Sequence, residues 1–246
     1  MDQWKGKVAL VTGASVGIGA NTAVELANAG MIVIGIARRE SAIAALVSKV
    51  TGEGKIIAKK CDLTVEAEII EVFKWIEANY GGVDVLINNA ALLLSNFMTE
   101  TPTDQIREIF NLNVVAATIC VQETIKNLRK RQAKGHIINL NSILGHRIPD
   151  VPRPVFGIYP ASKFAMSAIN HLIKAEMSYL KAPIKCTSIS PGMVDTDLIS
   201  TFSSSFKDYM TKLQAEDVTA AILYALGTPD RVQVEEIILQ AMHHTS

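Results

Sequence analysis

The chain has 246 residues, of which 49% are hydrophobic and 20% charged, enough for a large core and within the range of one α/β domain. Its 24 basic and 24 acidic residues cancel, so no net field recruits nucleic acid or an anionic membrane surface. Three scattered cysteines, Cys61, Cys120 and Cys186, have no CxxC spacing, which argues against a disulfide framework and a zinc site and suits a reducing compartment.

Residues 1–6 (MDQWKG) lead straight into a strand-like run and leave no room for a signal peptide. The longest apolar runs, such as 31–37 and 114–117, are too short to span a bilayer, so the expected location is cytoplasmic. Residues 7–12 (KVALVT) form a short β-rich run ending in a glycine-rich turn, and 18–29 follow with helical spacing. Residues 31–36 (MIVIGI) read as a second buried strand and 40–50 as a helix. A third strand at 55–60 precedes an amphipathic helix at 66–79. Gly81 and Gly82 break that helix before a fourth strand at 83–87. Thr103 is placed to cap a long helix reaching about Arg131. A fifth strand follows at 135–140 (GHIINL), a helix at 159–180, a sixth strand at 185–190, a late helix at 216–226 and a last strand at 234–239.

Strands that alternate with helices, and are apolar along their whole length, predict an α/β fold: a three-layer Rossmann-like doubly wound sheet of about seven parallel strands with helices on both faces. No linker, repeat or low-complexity tract interrupts it, so residues 1–246 read as one domain. Ligands on such sheets bind beyond the carboxyl ends of the strands, near the switch in strand order.

Two stretches at those ends carry chemistry. The first is the turn from Thr12 to Gly19 (TGASVGIG) between first strand and first helix. Glycines let a backbone turn tightly against a pyrophosphate while helix N-terminal amides face it. The end of the second strand then reads Ile36-Ala37-Arg38-Arg39. An acid at such a point accepts a ribose 2′-hydroxyl, whereas a guanidinium grips a 2′-phosphate. Ala37 stands where the acid is expected, so Arg38 and Arg39 favour NADP(H) over NAD, unless the two arginines only solvate a loop.

The second stretch is Tyr159-Pro160-Ala161-Ser162-Lys163. On a helix, residues four apart share one face. An ammonium there favours the phenolate, and moving a phenol from about pKa 10 to working pH takes roughly 4 kcal/mol of differential interaction. The positive helix N-terminus acts in the same sense. Pro160 fits the first turn, since it has no N–H to leave unpaired. Taken alone, this pattern is equally a chance pair on a solvated face.

Further runs raise it above chance. The chain resembles the classical short-chain dehydrogenase/reductase family nearly end to end. The turn Gly13-Ala14-Ser15-Val16-Gly17-Ile18-Gly19 has that family's spacing. Cys61-Asp62-Leu63, Asn88-Asn89-Ala90-Ala91, Asn113 in Asn111-Leu112-Asn113, Ser142, the Tyr159/Lys163 pair and the run from Pro191 to Thr196 (PGMVDT) match its other segments. The resemblance implies catalytic roles for Ser142, Tyr159, Lys163 and Asn113. It also implies dinucleotide contacts at Gly13, Ser15, Gly17, Ile18, Gly19, Asp62, Leu63, Asn89, Pro191, Gly192, Val194 and Thr196, besides Tyr159 and Lys163. Asp62 would meet the adenine, and Asn113 would hold a relay water. No metal is implied. Within the family, residues 148–156 and 232–239 resemble the cytosolic NADP-dependent branch that includes insect farnesol dehydrogenases and a vertebrate 17-β-hydroxysteroid/carbonyl reductase.

Two departures stand out. Ala91 replaces the family's usual glycine, which costs roughly 1 kcal/mol if the position needs positive φ. The interval from Ser142 to Tyr159 is also lengthened by Pro149-Asp150-Val151-Pro152-Arg153-Pro154, read as a substrate-shaping insertion. The five histidines read as structural or solvated, with His146 and His171 isolated.

Leu92-Leu93-Leu94, the stretch 143–158 (with Leu144, Val151, Val155 and Phe156) and the stretch 193–210 (with Val194, Leu198, Ile199, Phe202, Phe206 and Tyr209) are expected to border the reacting carbon. A mouth so apolar suits a small apolar alcohol or ketone such as an isoprenoid or steroid. Packing in a lid or subunit contact is the competing reading. The expected activity is therefore NADP(H)-dependent interconversion of an alcohol and a carbonyl. A broad-specificity carbonyl reductase and a dinucleotide-sensing module are the alternatives, and a homodimer or homotetramer is the expected assembly.

Overall fold

The computed structural model describes residues 1–151, 155–202 and 211–242. Seven strands form one sheet: β1 Val8–Thr12, β2 Ile32–Ala37, β3 Lys55–Lys60, β4 Val85–Asn88, β5 Gly135–Leu140, β6 Ile184–Pro191 and β7 Glu236–Leu239. Their order across the sheet is β3-β2-β1-β4-β5-β6-β7, and every pairing is parallel. Parallel strands need crossovers, and the chain supplies them as α1 Gly17–Asn28, α2 Glu40–Ala44, α3 Glu66–Tyr80, α4 Thr103–Phe110, α5 Ala117–Lys130, α6 Tyr159–Tyr179 and α7 Ala215–Gly227.

Alternation along the strands splits the core in two. Ala9 and Val11 of β1 face one side with Ala23 and Leu26 of α1 and Val218 and Ile222 of α7. Val8 and Leu10 face the other, with Ile69 and Phe73 of α3, Val121 of α5 and Ile173 of α6. A side-chain period of two allows this only because both faces of β1 are covered.

The order reverses at β1, which pairs with β2 on one side and β4 on the other. A crevice therefore opens beyond the carboxyl ends of β1 and β4. Thr12 closes it at the base: its Oγ1 accepts from the Asn89 and Ala90 amides at 2.9 and 3.0 Å.

Three local expectations change. The helix predicted from Thr103 to about Arg131 is α4 and α5 joined by a π-helical segment, Asn111–Ala116, and Pro102, not Thr103, occupies its N-cap. The helix predicted at 40–50 is the short α2 followed by a 3₁₀ stretch, Ala45–Lys49. Ala91 carries no backbone strain: among the described residues, Gln132 and Lys181 are the non-glycine positions with positive φ. Among the described residues, no helix is long and apolar enough to cross a membrane.

Candidate active site

A cavity of about 610 Å³ lies over the crevice. Gly13, Ser15, Gly17 and Ile18 line one end of it, with Arg38, Arg39, Asp62 and Leu63. Ser142, Tyr159, Lys163 and the run from Pro191 to Val194, together with Thr196, line the other. Asn89 also lines it, whereas Asn113 and Gly19 stand behind the wall.

The glycine turn is shaped by what surrounds it. Gly13 and Gly17 have φ of +66° and +57°, a region that L side chains rarely adopt. A Cβ at Gly19 would sit 2.5 Å from Asn89 Nδ2 and from Gly13 O, and one at Gly17 would sit 3.0 Å from Thr196 Cγ2. The last contact brings the segment after β6 across the top of the turn. Asn89 locks the turn from the β4 side, its Nδ2 donating to Thr12 O at 2.9 Å and Gly13 O at 3.3 Å.

Arg38 and Arg39 are exposed at the end of β2, and Arg39 Nη2 reaches Ser15 Oγ at 3.5 Å. Asp62 Oδ1 accepts from the Thr64 amide at 2.9 Å and Thr64 Oγ1 at 2.7 Å. Those bonds hold its carboxyl below the usual range, with Arg38 adding to the effect. A glycine turn with no room for side chains, a hydroxyl and two nearby guanidinium groups fit the phosphates of a nicotinamide dinucleotide.

Deeper in the site, Ser142 follows β5, Tyr159 opens α6 and Lys163 stands one turn on. All three are buried, at 8%, 4% and 3% exposure. Ser142 is close enough to the Tyr159 phenol to lower its pKa, and Ser142 Oγ accepts from the Leu144 amide at 3.1 Å. Lys163 Nζ lies 5.6 Å from the Tyr159 ring centroid and donates to Leu140 O at 2.7 Å.

The electrostatics correct one expectation. Burial pushes the Tyr159 phenol well above its ordinary value, and Ser142 only partly offsets that rise. The same burial pulls Lys163 down to about 8. The protein's own groups therefore favour a protonated phenol at neutral pH, because desolvating a phenolate outweighs the opposing effect of Ser142.

Asn113 sits in the π-helical segment, and its amide is fully engaged. Oδ1 accepts from the Leu92 amide at 2.8 Å, and Nδ2 donates to Leu92 O at 2.9 Å and to Ser162 Oγ at 3.1 Å. Ser162 Oγ donates in turn to Tyr159 O at 2.7 Å. The side chain thus braces the loop after β4 against the start of α6. A π turn widens the helix and loosens its i→i−4 pattern there.

Beyond Tyr159 the cavity is apolar. Leu93, Ile143, Leu144, Phe156, Ile199 and Phe202 form a buried cluster with the tyrosine ring. Phe156 and Phe202 meet edge to face, with centroids 6.2 Å apart. The expected contributors Val155 and Leu198 pack against this cluster. Phe206, Tyr209 and the end of the proline insertion (152–154) lie outside the described residues.

Thr12 and Ser162 also support the site, though nothing in the sequence motifs marks them out. Each is a fully buried hydroxyl inside a motif already singled out, and a buried hydroxyl must find partners.

The comparisons with known proteins agree with this geometry. The family model for short chain dehydrogenase matches residues 7–206. A farnesol dehydrogenase of Aedes aegypti is 43% identical over 98% of each chain. Dehydrogenase/reductase SDR family member 11 of Bos taurus is 36% identical over 96% of each. Among solved structures, a short-chain type dehydrogenase/reductase from Mycobacterium marinum superposes with a TM-score of 0.85 at 26% identity, covering 96% of this chain and 95% of that one. Sheet order, glycine turn and sequence relationship converge: the chain belongs to the short-chain dehydrogenase/reductase family and is an oxidoreductase of that family.

Proposed function

We propose that this oxidoreductase uses NADP(H) to interconvert an alcohol and a carbonyl on an apolar small molecule, an isoprenoid such as farnesol or a steroid-like compound. The observation that carries the reading is one continuous cavity. It has paired arginines at the β2 end and the Ser142–Tyr159–Lys163 set under an apolar roof at the other. The farnesol dehydrogenase among the relatives supports the isoprenoid choice.

When bound, the nicotinamide supplies or accepts the hydride. Tyr159 holds its proton at neutral pH and gives it to the carbonyl oxygen in reduction, taking it back in oxidation. Ser142 donates a hydrogen bond to the same oxygen, where negative charge develops. Lys163 restores the phenol's proton and holds the ribose hydroxyls. The Asn113 amide is engaged with Leu92 and Ser162, so a relay water held by this residue would have to use its main chain. Asp62 and Leu63 border the adenine, and Thr196 and Pro191 close the nicotinamide end.

The pair Arg38/Arg39 in place of an acid argues for the 2′-phosphate. NADPH should give the higher kcat/KM. Arg38→Ala should lower it about tenfold or more, equivalent to losing a charge-assisted hydrogen bond of roughly 1.5–3 kcal/mol, while leaving NADH kinetics within about twofold. NADH used as well as NADPH by the unaltered protein would contradict the assignment. A panel of ketones, aldehydes and quinones, with farnesol and hydroxysteroids in the oxidising direction, selects the substrate.

The exposed apolar residues Phe164, Leu172 and Tyr179 share one stripe of α6, and Val115 lies in the π segment. We assign these faces to a homodimer or homotetramer contact. Three free, buried thiols, each pushed up to about 12 chiefly by burial, suit the reducing cytoplasm.

A further inference from the structure

The turn that carries Ser142 is held from two sides. On the α6 side, Ser167 Oγ donates to Gly145 O at 2.8 Å and accepts from Asn141 Nδ2 at 2.9 Å. On the opposite side, His146 ends the turn and reaches across the sheet to β6 and β7. Its Nε2 lies 2.7 Å from Glu236 Oε1 and 3.1 Å from Ser190 Oγ.

Glu236 is the hub of this second anchor. Its Oε1 also accepts from Ser190 Oγ at 2.6 Å and Ser188 Oγ at 3.0 Å. Ser188 pairs with Glu236 in the β6–β7 register, and Ser188 and Ser190, two apart, present their hydroxyls to the same face. Both serines are buried. A core strand covered by apolar neighbours has no need of two hydroxyls at that spacing; an acid opposite them gives them their purpose.

The cluster touches neither end of the candidate cavity, since none of its four members lines it. It joins the turn bearing Ser142 to the last residues before Pro191 and Gly192, where the chain crosses toward the glycine turn. We propose that Glu236 and His146 are positioning residues for the reaction, fixing the Ser142 hydroxyl against the tyrosine by tying its turn to the β6–β7 strand ends. A hydroxyl that must meet a developing charge gains its effect from fixed placement, and a displacement near 1 Å removes about a hundredfold in rate.

This inference rests on the catalytic reading of Ser142 and Tyr159, so the experiment separates the two. Steady-state kinetics and dinucleotide affinity are measured for His146→Ala, Glu236→Ala, the double variant and Tyr159→Phe, with thermal unfolding to confirm that each folds. The expected result is a kcat about tenfold lower in each single variant, with the dinucleotide KM within twofold of the unaltered protein. The double variant is expected to be no slower than the worse single, because both act through one link. Glu236→Gln, which keeps an acceptor oxygen in place, should recover most of the loss. Unchanged kcat in both alanine variants overturns the proposal, as do effects that multiply in the double variant or a loss confined to dinucleotide KM. If one alanine variant does not fold, the other carries the same comparison. An active Tyr159→Phe protein would instead refute the catalytic reading itself.

Discussion

His136 is the second residue of β5 and is completely enclosed. Its Nε2 lies 2.8 Å from Thr187 Oγ1, whose own proton goes to Val234 O at 2.6 Å, so the imidazole hydrogen sits on Nε2. Nδ1 has no hydrogen-bond partner among the described residues. Burial, and secondarily Lys185, pushes its pKa from 6.5 down to about 3. The unfolded chain therefore binds the extra proton in the window between those values, where the folded chain does not. The stability present above the upper value is lost as pH falls toward the lower one, at up to about 1.4 kcal/mol per pH unit. Denaturant unfolding followed from neutral pH to about pH 4 should show that slope reduced in His136→Asn; parallel curves for the two proteins would contradict it. The sequence shows only a histidine at the start of a strand, and neither the enclosure nor the Thr187 contact is visible there, because both depend on β6 lying alongside.

At the scale of elements, what was legible is what local pattern controls. β3 and β5 fall where their apolar runs end in glycine or a change of charge, and α6 begins at Tyr159 as Pro160 indicated. The π turn was not legible, because the apolar spacing of 103–131 passes through it without interruption. It coincides instead with the Asn113 amide bound to Leu92 and Ser162, partners that sequence spacing does not reveal. The same holds for His146. It reads as isolated until β7 brings Glu236 to 2.7 Å. The suspected strain at Ala91 rested on a family glycine, and the backbone here does not adopt the conformation that would need one.

The whole molecule explains how motifs far apart in the chain come to line one cavity. Apart from Asn113, each motif sits at the carboxyl end of a different strand or at the start of the helix that follows, and a parallel sheet gathers those ends along one edge. Order along the chain therefore became proximity in space once the strand order was set. Substrate identity was less legible, since it depends on how loops after β4, β5 and β6 close together. The exposed stripe on α6 predicts association, which sedimentation at micromolar concentration measures; a monomer would contradict the assignment of that stripe to a subunit contact. In the proposed reaction Tyr159 exchanges the proton while the rest of the cavity binds and orients. Turnover and NADPH affinity of Tyr159→Phe test this most directly. Turnover should fall at least about a hundredfold, the usual contribution of a positioned general acid, with NADPH affinity within about twofold; turnover near that of the unaltered protein would contradict the role of Tyr159.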